Sequence, residues 1–207
     1  MILIVGLGNP GKQYATTPHN MGFRVLDCFK ARFLSSQDWT RGKTAMYLKG
    51  EVEGKEVTLL KPRQYMNRSG FSIKDFVKIR TRPSVRTFLT SPVGEVPPES
   101  LWVAHDELDL PWGEIKVDVD RSSAGHKGVK SIIDALGTKA FWRFRVGVRP
   151  MAWLADTDEY LVSFNTKKHM RATDDAVVQK TAELVFSSLS EGIGKKKIVV
   201  EVPPIVS

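Results

Sequence analysis

The sequence is poor in cysteine and has no long apolar run. It holds one cysteine, Cys28, in 207 residues, so an internal disulfide bond and a cysteine-based zinc site are both excluded. No apolar run approaches the roughly 20 residues that a membrane-spanning helix needs, and we expect no membrane association. The chain passes from Met1 directly into a strand pattern, so we expect no targeting segment and a cytoplasmic protein.

Acidic residues are outnumbered by basic ones. The sequence has 23 Asp and Glu residues against 31 Lys and Arg residues, which gives a net charge of +8. A basic balance of this size favours a polyanionic partner, above all a nucleic acid. Hydrophobic residues make up 42% of the chain, which is enough for a packed core. We therefore expect one domain over residues 1–207.

Strand and helix patterns alternate along the chain. The candidate strands are Ile2–Val5, a hairpin from Thr44 to Leu60, Leu101–Ala104, Glu114–Val119 and Phe141–Val148. The candidate helices begin at Met21, near Phe71, at Gly128 and after Thr173–Asp175, which would cap the longest helix. This alternation predicts an α/β fold: a single domain with a mixed, twisted β-sheet flanked by helices.

Two segments do not fit the alternation. Residues 80–100 contain four prolines and no periodicity, which predicts an exposed insertion rather than a domain boundary. Residues 192–207 carry three consecutive lysines followed by an apolar, proline-containing stretch. We expect a basic C-terminal tail there, either frayed or added to the sheet as an edge strand.

The run Gly6–Gly11 matches the dinucleotide-binding pattern G-x-G-x-x-G. That pattern needs its third glycine in the first turn of a helix and an acidic residue about 20 positions further on. Residues 12–18 have no helical periodicity, and Glu51 lies about twice that distance away. We therefore expect neither NAD nor FAD, and no other cofactor.

Polar side chains that a fold does not require follow four of the predicted strands. They are Asn9 with His19; Tyr65, Met66 and Asn67; His105 with Asp106; and His126 with Lys127. A neutral imidazole beside a carboxylate is a general base that activates water near neutral pH, and asparagine amides donate to a developing oxyanion. The sequence has no G-x-S-x-G and no H-E-x-x-H pattern. These residues favour base-assisted attack by water without a metal ion.

Each of these residues also has a purely structural interpretation. His19 could simply adjoin the start of a helix, and Asp106 could cap a turn. Asn67 could cap the helix that begins near Phe71. Tyr65 and Met66 could belong to the core.

Four segments resemble the bacterial-type peptidyl-tRNA hydrolases: GLGNPGKQYATTPHNMGF, KPRQYMNRSG, VAHDELDLPWGEIKV and AGHKGVKSIIDALGTKAFWRFRVGVRP. The likeness follows the family's order and spans nearly the whole chain up to about Phe164. It implies a single-domain α/β fold and hydrolysis of the ester that joins a peptide to the 3′ end of tRNA. Peptidyl-tRNA is then the expected partner, and a monomer the expected state.

The resemblance also implies roles for single residues. His19 matches the general base and Asp106 the carboxylate that orients it. The substrate-binding residues that we expect are Asn9, Tyr14, Tyr65, Met66, Asn67, His126 and Lys127. Arg145 matches a basic residue that grips the tRNA 5′ phosphate, and Lys116 and Arg121 are expected to supplement it. No metal site is implied.

Three positions depart from the family's pattern around the His–Asp pair. Lys127 stands in place of an asparagine, and a lysine donates hydrogen bonds but cannot accept them. Asp118 replaces a phosphate-binding lysine. Pro18 replaces an arginine and pushes Thr17 toward extended backbone. These changes leave a rival hypothesis open, namely a non-catalytic RNA-binding protein on the same scaffold.

Overall fold

A computed structural model of the chain describes residues 1–80, 97, 100–149, 156–163 and 168–200. The side chains of residues 78–80 and 168–173 are not part of that description. The predicted insertion at residues 80–100 and the last seven residues of the predicted tail lie largely or wholly outside the described residues.

In the described residues, eight strands form one sheet in the order β2-β3-β4-β1-β5-β7-β6-β8. The strands are β1 (Ile2–Gly6), β2 (Thr40–Arg41), β3 (Ala45–Val52), β4 (Lys55–Pro62), β5 (Leu101–Pro111), β6 (Glu114–Val119), β7 (Trp142–Arg149) and β8 (Lys196–Val199). β1 is parallel to β4 and β5, and β5 is parallel to β7. The remaining pairs are antiparallel. The predicted mixed sheet is confirmed.

In the part of the chain that the structure describes, five α-helices flank this sheet. They are α1 (Met21–Phe33), α2 (Ser69–Arg80), α3 (Lys127–Leu136), α4 (Thr157–Val162) and α5 (Lys168–Glu191). α1 and α5 pack over one face, where their apolar side chains join the larger core, and α2 and α3 pack over the other. The central strand β1 is buried from both sides, which explains its uninterrupted apolar run. Among the described helices, none has the length and apolar character to cross a membrane.

Helix α5 begins earlier than the sequence indicates. It starts at Lys168, so residues 173–175 lie inside the helix and do not cap it. Asp174 and Asp175 instead accept hydrogen bonds from the two terminal nitrogens of Arg24 on α1, each at 2.9 Å. The carboxylates therefore join the two helices on one face of the sheet.

One strand is longer than predicted, and one helix was not predicted at all. β5 continues past Ala104 to Pro111, so Asp106 lies within a strand rather than in the loop after it. α4 lies in a segment for which the sequence predicts neither a strand nor a helix. The Asp156 side chain caps it by accepting from the backbone N–H groups of Asp158 and Glu159. The pattern Asp156-x-x-Glu159 matches the sequence signature of a helix N-terminus and could have located this helix.

Part of the C-terminal tail is an edge strand. β8 pairs antiparallel with β6, and Ile198 lies opposite Ile115. Of the two alternatives for the tail, the structure therefore has the edge strand at Lys196–Val199.

The end of β1 and the start of α1 approach each other closely. Leu7 N–H donates to the Ala104 oxygen at 2.9 Å, and Phe23 N–H donates to the Leu7 oxygen at 3.1 Å. A Cβ atom on Gly22 would lie 2.3 Å from the Ala104 oxygen, and one on Gly6 would lie 2.3 Å from the Gly22 oxygen. Only glycine permits this contact, which seats the start of α1 on the ends of β1 and β5.

Candidate active site

His19 and Asp106 meet where the start of α1 packs against the ends of β1 and β5. His19 lies in the short 3-10 helix Pro18–Asn20. Thr17 precedes this helix with an extended backbone (φ −75°, ψ 153°), which the following proline favours. The His19 Nδ1 atom donates to Asp106 Oδ2 at 2.8 Å. The two residues are 7% and 1% exposed, so the hydrogen bond between them is buried.

Asp106 holds a second imidazole through its other oxygen. His126 Nε2 donates to Asp106 Oδ1 at 3.0 Å. The opposite nitrogen, His126 Nδ1, accepts from the backbone N–H groups of Gly128 and Val129 at 3.1 and 3.2 Å and thereby caps α3. A ring nitrogen that accepts two hydrogen bonds carries no proton, so the proton of the neutral His126 ring is on Nε2.

The Asp106 carboxylate fixes the tautomer of His19 as well. Because Nδ1 of His19 donates to Asp106, the lone pair of the neutral ring is on Nε2. Burial of the ring acts to lower the pKa of His19, but the adjacent Asp106 charge and hydrogen bond outweigh it and raise the pKa above 6.5. Burial would likewise raise the pKa of Asp106, but His19 and His126 together hold it well below its usual range. The arrangement has the form of a general base oriented by a buried carboxylate.

His105, which precedes Asp106 on β5, also contacts this group. Its Nδ1 donates to the main-chain oxygen of Asp106 at 2.6 Å, and its ring packs edge-on against His126 with centroids 4.8 Å apart. Two effects lower the pKa of His105 well below 6.5. The larger is the complete burial of the ring, and the smaller is the neighbouring His126. His105 is therefore a neutral packing partner behind His126.

The side chains of His19, Asp106 and His126 also have the composition of a metal site. Their ligand atoms lie within 4.8 Å of one another. However, a histidine that binds a metal through one nitrogen normally donates a proton from the other. Nδ1 of His126 faces two N–H donors and cannot donate, so the hydrogen-bonded arrangement fits these residues better than a metal ion does.

Asn9 is held in place by its neighbours. Its backbone N–H and C=O are both bound by the Asn20 side chain, at 2.7 and 3.1 Å. Its own Oδ1 accepts from the backbone N–H of Met66 at 2.8 Å. The Nδ2 group is thus the part of the Asn9 side chain that can donate to a ligand. This contact of Asn20 could not be predicted from the sequence, since it depends on the conformation of the loop between β1 and α1.

A cleft with two chambers opens around His19. The larger chamber has a volume of about 550 Å³ and is lined by Asn9, Tyr65, Met66 and Asn67, among others. The smaller, about 210 Å³, lies against Asp106, Gly125 and His126. His19, Lys127, Asp158 and Leu161 line both chambers.

An ion pair stands between the two chambers. Lys127 Nζ, at the start of α3, lies 2.6 Å from Asp158 Oδ2 on α4, and both side chains are largely exposed. Since Lys127 can only donate, its charge is directed to Asp158 in this arrangement rather than to the position that an asparagine amide would serve. Asp158 and Leu161 were not predicted as site residues because α4 itself was not predicted.

The remaining predicted substrate residues differ in their placement. Met66 is 4% exposed and belongs to the core, yet it also lines the larger chamber, whereas Tyr65 is 59% exposed. Asn67 lies within the 3-10 helix Met66–Arg68, is exposed, and does not cap α2. Tyr14 ends the 3-10 helix Lys12–Tyr14, and its side chain is not among those that line the two chambers in the described part of the chain.

Arg145 is placed differently from the expected phosphate contact. It is 5% exposed, and its guanidinium donates to Glu107 Oε2 at 3.0 Å and to Asp118 Oδ2 at 2.8 Å. Two carboxylates already satisfy this cation, so its geometry does not fit direct contact with a phosphate. Lys116 is partly exposed, with Nζ 3.8 Å from Asp118, and Arg121 is exposed.

Comparison with known proteins identifies the family of the chain. The family model described as "Peptidyl-tRNA hydrolase" matches residues 3–202. The chain belongs to the peptidyl-tRNA hydrolase family. The peptidyl-tRNA hydrolase of Thermodesulfovibrio yellowstonii is 38% identical over 94% of this chain and 96% of its own length. That of Bacillus subtilis is 38% identical over 92% and 93%.

A solved structure from the peptidyl-tRNA hydrolase family agrees in fold. The crystal structure of the enzyme from Acinetobacter baumannii matches with a TM-score of 0.74 and 28% identity, covering 93% of this chain and 92% of the other. The eight-stranded mixed sheet with its flanking helices is thus the fold of a peptidyl-tRNA hydrolase.

Replacing Asp106 with Asn tests the electrostatic coupling in this pair. With the carboxylate charge removed, burial and the nearby Lys127 charge prevail, so we expect the pKa of His19 to fall below 6.5. NMR titration of the imidazole signals measures this, and a His19→Gln spectrum assigns the His19 signal. Asp158→Asn is the matched control and should lower the pKa less, since Asp158 contributes less. An unchanged pKa in Asp106→Asn would contradict the coupling.

Replacing His126 separates its two hydrogen-bonding functions. His126→Ala removes the cap of α3, worth about 1 kcal/mol, and leaves a buried Asp106 oxygen unpaired, worth about 1–3 kcal/mol. His126→Asn keeps a capping oxygen but not the donor to Asp106. We therefore expect the free energy of unfolding in urea to be about 1 kcal/mol larger for the His126→Asn variant than for the His126→Ala variant. Both variants should be less stable than the parent protein. Equal stabilities of the Asn and Ala variants would show that His126 does not cap the helix.

Proposed function

We propose that this protein hydrolyses the ester bond between the peptide and the 3′ end of tRNA in peptidyl-tRNA, which releases free tRNA. The observation that carries the proposal is the hydrogen bond from His19 Nδ1 to the buried Asp106 carboxylate. This bond leaves Nε2 of His19 as the ring nitrogen that can take a proton from water in the cleft. Family membership supplies the substrate.

In the proposed reaction, His19 acts as the general base. Its Nε2 takes a proton from a water molecule as the water oxygen attacks the ester carbonyl. The Asp106 charge stabilises the imidazolium that forms, and the hydrogen bond keeps the ring oriented. When the tetrahedral intermediate collapses, the proton passes from Nε2 to the departing ribose oxygen, which returns His19 to its neutral form.

Donor groups near His19 are suited to the carbonyl side of the substrate. The Nδ2 group of Asn9 and the exposed amide of Asn67 line the larger chamber. We assign them to hydrogen bonds with the peptide main chain and with the developing oxyanion. Met66 and Tyr65 form the wall against which the peptide lies.

Lys127 takes part in substrate binding in this proposal. Its amine shares the border of both chambers with His19 and is paired with an exposed carboxylate of Asp158. An exposed ion pair is worth little, so an incoming carbonyl or phosphate oxygen can replace Asp158 as its partner. Lys127 would then contribute a positive charge close to the scissile ester.

We assign the contacts with the tRNA to cations on and after β6, which lies on the side of β5 away from β1. Lys116 and Arg121 are accessible, whereas Arg145 is buried under its two carboxylates. We therefore propose that Lys116 and Arg121 contact the phosphate and that Arg145 holds the strands beneath them. The net charge of +8 favours the association, because phosphate contacts supply much of nucleic-acid affinity. We further propose a cytoplasmic monomer with a single domain over residues 1–207.

Removing the imidazole of His19 is the direct test. We expect His19→Ala to lower the turnover of peptidyl-tRNA by a factor on the order of 10² to 10⁴, because no other group replaces the base. Release of free tRNA from an N-blocked aminoacyl-tRNA measures the rate, and circular dichroism checks the fold. Lys49→Ala, an exposed substitution on β3, on the other side of the sheet from β6, is the control.

Three outcomes of this test bear on the proposal. Unchanged hydrolysis by His19→Ala would remove His19 from the role of base. Binding of peptidyl-tRNA by the parent without any release of tRNA would support the rival hypothesis, a non-catalytic RNA-binding protein. Loss of parent activity in a chelator, with recovery on adding metal, would contradict base catalysis without a metal ion.

A further inference from the structure

A row of exposed side chains continues from the wall of the larger chamber onto the start of α2. Tyr65, Arg68 and Phe71 follow one another at intervals of three residues, and together they are named the Tyr65 ridge. Tyr65 is 59% and Phe71 49% exposed, and the exposed Arg68 has its guanidinium carbon 5.6 Å from the centre of the Phe71 ring. Within the described ranges, no other aromatic side chain is exposed to this degree. Exposed aromatic side chains grouped beside a cleft indicate a binding surface.

The backbone under the ridge is fixed. Ser69 Oγ donates to the Met66 oxygen at 2.8 Å, and Gly70 N–H donates to Ser131 Oγ on α3 at 3.0 Å. A Cβ atom on Gly70 would lie 2.0 Å from the main-chain oxygen of Ser131, so α2 and α3 are in close contact there. A ridge on such a backbone needs little ordering when it binds a ligand, which lowers the entropic cost of binding.

The position of the ridge relative to His19 indicates which part of the substrate it meets. β6, which carries Lys116 and leads to Arg121, lies on one side of β1 and β5 in the sheet. β4, which leads to Tyr65, lies on the other side. With the ester at His19 and the tRNA phosphates toward β6, the peptide extends toward the ridge.

We propose that the Tyr65 ridge binds apolar side chains of the peptide about two to three residues away from the ester, and so sets a preference for the peptide sequence. This proposal rests on the proposed function. From Tyr65 to Phe71 the chain makes three steps in the 3-10 helix and three in α2, an advance of about 10 Å. About three residues of extended peptide cover the same length. Phe71 and Tyr65 supply the apolar surface, and Arg68 donates hydrogen bonds to main-chain carbonyls.

Three substrates built on the same tRNA test the proposal. They carry an N-acetylated single amino acid, an N-acetylated tripeptide with leucine at the two residues distal to the ester, and the same tripeptide with glycine there. We expect Phe71→Ser to lower kcat/KM for the leucine tripeptide by a factor of roughly 3 to 10, since it removes the aromatic contact. The other two substrates should be cleaved at the parent rate. Phe71→Leu, which keeps an apolar side chain, should give an intermediate value.

A matched control and the contrary outcomes complete the test. Val199→Ser changes a side chain that is 65% exposed on the far edge strand, and it should leave all three rates unchanged. Equal losses on all three substrates in Phe71→Ser would mean that the ridge contacts the RNA, and would overturn the proposal. No loss on the leucine tripeptide, with all substrates cleaved, would overturn it while leaving the hydrolase proposal standing. A parent that cleaves none of the substrates would overturn both.

Discussion

The Asp106 carboxylate, held between two imidazoles, is the interaction on which the rest of the site depends. A buried carboxylate is costly unless both oxygens are bound, and here His19 and His126 bind one each. Each bond also fixes the position of the proton on its imidazole. One carboxylate thus orients the candidate base, through His19, and joins it to the first turn of α3, through His126. Removing this carboxylate would disturb β5, the 3-10 helix that carries His19, and the start of α3.

The fold brings these groups together by close backbone packing. The missing side chain at Gly22 lets the start of α1 rest on the ends of β1 and β5, which delivers His19 to Asp106. His105 fills the space behind His126 and keeps that ring in place. Around this rigid centre, the surface groups differ in character, with a separable ion pair at Lys127 and exposed aromatic side chains beyond the cleft. The hydrogen-bonded centre is therefore buried, whereas the side chains assigned to substrate binding are mostly exposed.

Much of this could be predicted from the sequence. Apolar strand segments alternate with helical patterns, which indicates the mixed sheet, and His19 and Asp106 lie close after or within strands whose ends meet. The second bond of Asp106 could not be predicted, because the start of α3 brings His126 to it and nothing local marks an imidazole as a helix cap. The burial of Arg145 depends on carboxylates 38 and 27 residues away and on the register of three strands. A sequence motif can identify a basic residue such as Arg145. Whether that residue is paired with carboxylates or available to a ligand depends on the register of the strands.

In this arrangement, the neutral rings of His19 and His126 are opposite tautomers bound to one carboxylate. Nitrogen-15 NMR of the imidazole nitrogens, recorded above the pKa of His19, shows directly which nitrogen in each ring carries the proton. We expect the proton on Nδ1 and a bare Nε2 in His19, and the proton on Nε2 with a bare Nδ1 in His126. A proton on Nε2 of neutral His19, or on Nδ1 of neutral His126, would contradict the proposed role of Asp106.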